Sequence, residues 1–156
     1  MATAADYGSP IPAQEERTMA ILAHVLQLVG WWIAPLIIFL IKRESRFVSF
    51  HALQALLLQI LYMIVMGGFG VLWFASIFLT ISSQGAHQGG PPPPIVFLFP
   101  LIWLGFMGMW VLMLVVAIVY GIKAGRGEWA EYPILGRLAR KFLKIGPGGS
   151  FLGSPQ

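Results

Sequence analysis

"TMAILAHVLQLVGWWIAPLIIFL", residues 18–40, is apolar enough to enter a membrane and is interrupted near its middle by Gly30, two tryptophans and Pro35. Proline removes a helical hydrogen bond and crowds the preceding turn. The run is therefore either one kinked helix over about 18–41 or two half-helices that enter and leave on the same side. A hairpin at membrane depth needs protein around its turn to satisfy the open backbone, and so short a chain has little to supply. The expectation is a single kinked span, with the re-entrant hairpin as the alternative.

The rest of the chain supports a membrane setting. Of 156 residues, 58% are hydrophobic and only 10% charged, and the mean hydropathy is +0.79. Such values lie outside those of ordinary soluble domains. No Asp, Glu, Lys or Arg occurs between Phe47 and Ile122, a length that crosses a hydrocarbon core of roughly 30 Å about twice at helical rise. Two more spans are read there, over about 47–81 and 95–122. All spans must be helical, because lipid cannot satisfy an open backbone. The fold class expected is an all-α bundle of three transmembrane helices in one membrane domain over 15–145, between flexible tails at 1–14 and 146–156. Between the second and third spans lies "SSQGAHQGGPPPP", a Gly/Pro connector in which His87 is read as solvated and Pro94 suits the start of the next helix. Asp6, Glu15 and Glu16 precede the first apolar run, so no cleavable signal is expected. The absence of cysteine excludes disulfides, thiolate metal sites and thiol nucleophiles.

Basic residues orient the chain. Lys42, Arg43 and Arg46 follow the first span, none lies in the Gly/Pro loop, and Lys123, Arg126, Arg137, Arg140, Lys141 and Lys144 follow the third. The positive-inside rule then makes the C-terminus cytoplasmic. In "YPILGRLARKFLKIGPGG" the apolar residues Ile134, Leu135, Leu138, Ala139, Phe142 and Leu143 share one side of a helix over about 133–145. Arg137, Arg140, Lys141 and Lys144 take the other. This is the pattern of an amphipathic helix on anionic inner-leaflet lipid, ended by Gly146 and Pro147. It is too short, and too apolar on one face, to read as a nucleic-acid binder.

Polar residues inside the spans form two stripes. On the second helix His51, Gln54, Gln59 and Tyr62 share an arc of roughly 140°, and on the first His24 and Gln27 stand three apart. Such residues usually bond neighbouring helices. Under the single-span topology the two histidines are far apart, Gln27 approaches Gln59 or Tyr62, and no metal is held. Small residues Ala117, Gly121 and Gly125 at spacing four, and Gly67, Gly68 and Gly70 in "GGFG", suit close helix packing or a homo-oligomer. No carboxylate lies within a span, Glu128 and Glu131 read as surface groups beside Arg126, and no zinc, phosphate-loop or nucleophile motif occurs. No enzyme activity and no cofactor is expected.

Three stretches carry a resemblance. "ERTMAILAHVLQLVG" with "APLIIFLIKRES", "RFVSFHALQALLLQI", and "GIKAGRGEWAEYPILGRLARKF" together resemble the Tic-twenty-like family of small bacterial membrane proteins, over about residues 15–143. The motif residues are Phe50, His51, Gln54, Gly127, Glu128, Tyr132 and Pro133. That resemblance implies a multi-pass protein of the bacterial inner membrane with a link to protein translocation or insertion. The function expected is a non-enzymatic accessory or scaffold that contacts lipid and other membrane proteins. The alternative is a small-solute or ion pore, which explains the polar stripes.

Overall fold

A computed structural model of the chain describes residues 11–86 and 97–146. Among these the structure is all-helical: α1 Gln14–Gly30, α2 Ile33–Ile41, α3 Arg46–Ala86, α4 Leu98–Gly125 and α5 Leu135–Leu143. Two helices are long and apolar enough to cross a membrane, through Arg46–Ser82 and Leu98–Gly125. His87, Pro94 and the rest of the Gly/Pro connector from residue 87 on lie outside the described residues, as do residues 1–10 and 147–156.

The first apolar run is not one kinked span. It breaks at Trp31, whose φ of 51° no right-handed helix accommodates, and α2 packs back along α1. Gly30 permits the reversal, because a Cβ there would stand 2.7 Å from the Cβ of Ala34. Pro35 falls in the first turn of α2, where its missing N–H removes one of the donors that a helix start leaves unpaired. The same residue that reads as a kink in sequence therefore helps to begin a second helix. Polar contacts tie the two ends of the hairpin together. Lys42 pairs with Glu15, and Ser45 Oγ donates to Glu16 at 2.7 Å, whose other oxygen accepts the backbone N–H of Ala13 at 2.9 Å. Each partner of the Lys42–Glu15 pair favours the other's charged form, so the lysine pKa is raised and the glutamate pKa lowered.

The chain divides into two compact units, one of residues up to Ile60 together with those from Val115 onward, the other Leu61–Leu114. In the first, α1 enters parallel to α3, with Glu16 at Ser45 and His24 at His51. It lies antiparallel to α4: Ile21 meets Gly125 and His24 meets Gly121. The buried residues of α1 are Ala20, Ala23, His24 and Gln27, one face at helical spacing. On α4 Ala117 is fully buried, and a Cβ at Gly125 would come within 2.9 Å of Ile21 Cδ1. The small-residue row of α4 is thus the groove that admits α1.

Beyond α4 the chain turns at Gly127, φ 79°. Its N–H bonds Ala124 O at 2.9 Å and that of Glu128 bonds Lys123 O at 3.1 Å, a helix end that needs a left-handed residue. Trp129 then lies edge-on to Phe47, with centroids 5.3 Å apart, and packs against the cluster of Phe50, Ala139 and Ile145. Helix α5 ends at Lys144, itself left-handed at φ 52°, two residues before the Gly-Pro pair expected to stop it. Its reversal sends Ile145 back into the core, 2% exposed.

In the second unit Phe69 stacks against Gly105 at 3.0 Å from the position of a Cβ and lies 5.7 Å from Phe106 between centroids. Within this chain Gly67, Gly68 and Gly70 make no close helix contact, since a Cβ at any of the three would meet nothing within 4 Å. Glycine in a helix costs about 1 kcal/mol relative to alanine. Gly67→Ala and Gly68→Ala should therefore each raise stability in detergent by up to about 1 kcal/mol. A loss of stability would mean that another molecule packs there.

Candidate functional site

The polar residues of the first unit converge on one buried cluster. His24 Nε2 stands 3.0 Å from His51 Nδ1, His51 Nε2 is 3.1 Å from the carbonyl oxygen of Glu128, and Tyr132 Oη is 2.9 Å from His24 Nδ1. The expectation that the two histidines are remote is therefore overturned, because the hairpin carries His24 to the base of α3.

The direction of every bond follows from the last acceptor. A carbonyl oxygen accepts only, so His51 Nε2 must donate to Glu128, which leaves its Nδ1 to accept from His24 Nε2. His24 Nδ1 then accepts the Tyr132 hydroxyl hydrogen. Both imidazoles are neutral in this arrangement, and each ring nitrogen has one partner. Burial raises the Tyr132 phenol above its usual range, an effect that the neighbouring Gln27 amide partly offsets. Tyr120 closes the cluster, 4.3 Å from Tyr132 between ring centroids, and its hydroxyl donates to Glu131 O at 2.9 Å.

Gln54 performs the second closure. Its Nε2 donates to Ala130 O at 3.1 Å and its Oε1 accepts the Tyr132 N–H at 2.7 Å. One amide thus satisfies two backbone groups of a connector that has no regular partner. The stretch "FHALQ" and the stretch "GEWAEYP", more than 70 residues apart in sequence, are joined through three side-chain to backbone bonds. Phe50, His51, Gln54 and Tyr132 are buried, Gly127 forms the turn, Glu128 offers its carbonyl, and Pro133 is exposed.

Other expected residues fall elsewhere. Gln59 is buried with its Oε1 unpaired, and both amide atoms of Gln27 lack a well-aligned partner; Tyr62 is half-buried. Arg140 is not an outward base, since it pairs with Glu131, donates to Gly146 O and covers the Phe50 ring. Arg137, Lys141 and Lys144 are exposed. Glu128 makes the expected surface pair with Arg126, at 3.9 Å. The reading of the residues alone missed Tyr120 and the Glu131–Arg140 pair, for which neither spacing nor periodicity gave a signal. Among the described residues no three His, Asp or Glu side chains are gathered to hold a metal.

A family model described as the magnetosome magnetite crystal formation protein family matches residues 15–139. The chain belongs to this family. Membership in the magnetosome magnetite crystal formation family replaces the Tic-twenty-like resemblance, and with it goes the inferred link to translocation. The matched span runs from the start of the hairpin into α5 and so contains every residue of the polar cluster. A UPF0132 membrane protein of Methanocaldococcus jannaschii is 26% identical over 110 residues, 70% of this chain and 76% of the relative. No solved structure matches.

Proposed function

We propose that the chain is a non-catalytic scaffold of a bacterial inner membrane. In this reading α3 and α4 span the bilayer, and the α1–α2 hairpin re-enters from the cytoplasmic side, where α5 also lies. The family description names magnetite crystal formation at a magnetosome. In that setting the chain contributes as a structural component of the membrane, assembled with copies of itself or with other membrane proteins.

The hydrogen-bonded chain through Tyr132, His24 and His51 carries this reading. It ends on a backbone carbonyl, which can accept a hydrogen bond and cannot relay a proton onward. Its geometry therefore fits a fastening between helices better than a path for protons. No carboxylate or cation stands inside the cluster to bind a charged permeant. The buried Gln27 amide and the unpaired Gln59 Oε1 favour a second reading, a narrow polar pore, because unpaired buried polar atoms attract water. Liposomes holding the purified protein separate the two. The scaffold predicts proton and iron fluxes equal to those of empty liposomes, whereas a protein-dependent flux abolished by Gln27→Leu would establish the pore.

A further inference from the structure

Helix α5 has two faces with different fates. Gly136 and Ala139 are buried against the first unit, and a Cβ at Gly136 would come within 3.0 Å of Gln54 Oε1. Ala139 packs with Phe50 and Ile145, and Arg140 is held by Glu131. The outer face is uncovered: Ile134 is 78% exposed, Leu138 39% and Phe142 68%. Arg137, Lys141 and Lys144 flank this strip, all exposed. Among the described residues none of the three bases is paired with an acid.

Its level along α3 identifies the occupant. α5 touches α3 at Phe50 and Gln54. From Phe47 to Ala52 that helix is buried all round, and its exposed apolar surface begins at Ile60. α5 therefore stands where α3 passes from polar enclosure to bare hydrocarbon surface. Apolar side chains directed outward at that level, rimmed by unpaired bases, match the boundary between headgroups and acyl chains. We propose that the outer face of α5 is a binding surface for anionic lipid, in which Ile134, Leu138 and Phe142 enter the acyl boundary and Arg137, Lys141 and Lys144 hold headgroup phosphates. Arg140 is excluded from that set. The surface gathers acidic lipid around the scaffold proposed above and rests on its membrane placement.

The test uses the full chain in vesicles of mixed zwitterionic and anionic lipid, with a fluorophore on Phe142→Cys and, separately, on Phe74→Cys. Phe74 lies on α3 in the other unit, 72% exposed. Nitroxide-labelled lipid of either headgroup serves as quencher. At low salt the anionic quencher should be several-fold more effective than the zwitterionic one at position 142 and no more effective at position 74. The preference should vanish in 1 M salt and in the variant R137Q/K141Q/K144Q, and should survive Arg140→Gln in chains that remain folded. Equal quenching at position 142 by both lipids at low salt overturns the proposal. Absence of quenching by either also overturns it and points to a protein partner on this face. If position 74 is unquenched, the membrane placement itself fails, which is a separate result.

Discussion

His51→Leu should destabilise the protein by about 2–5 kcal/mol. The substitution keeps the volume and removes both polar atoms, so His24 loses the acceptor for its Nε2 hydrogen and Glu128 loses the donor to its carbonyl. Each group left unpaired in a dry site costs about 1–3 kcal/mol. His51→Gln should cost less, since one amide offers an acceptor toward His24 and a donor toward Glu128. A cycle with His24→Leu should show coupling of roughly 0.5–3 kcal/mol, because the two residues act within one chain of bonds. Thermal unfolding in detergent reads the parent and the four variants. A leucine variant as stable as the parent would mean that the contact does not form.

Gly30→Ala should cost about 1–3 kcal/mol, although alanine is the better helix former. The new Cβ would stand 2.7 Å from that of Ala34, so the halves of the hairpin must part. Ala34→Gly in the same chain should restore most of the loss by returning the missing space. If Gly30→Ala instead stabilises the protein by the amount that helix propensity alone predicts, the run from α1 to α2 is continuous.

Much of this architecture is legible in the residues. The charge-free length from Phe47 to Ile122 marks two long helices, and their limits fall within a few residues of those read from hydropathy. "ILGRLARKF" announces α5 through its periodicity. The hairpin is different, because "GWWIAP" is compatible with a kink and with a turn. What decides between them lies far away in sequence: the groove at Ala117, Gly121 and Gly125, and the imidazole of His51. Small residues at spacing four announce a close approach without naming the partner. The polar stripes likewise reveal that His24 and His51 need partners, but only the hairpin makes each the partner of the other. Arg140 shows the converse limit, since its position on the polar side of α5 cannot reveal that Glu131 folds back to meet it.

In the topology proposed above, the hairpin re-enters and so places the start of α1 on the same side of the membrane as the α2–α3 turn. Single cysteines at Gln14, Glu44 and Ser82 test this most directly, because the chain has no native thiol. A membrane-impermeant thiol reagent should label intact cells at Ser82→Cys alone, and should reach Gln14→Cys and Glu44→Cys only after permeabilisation. Labelling of Gln14→Cys together with Ser82→Cys in intact cells would contradict the hairpin and restore the single span.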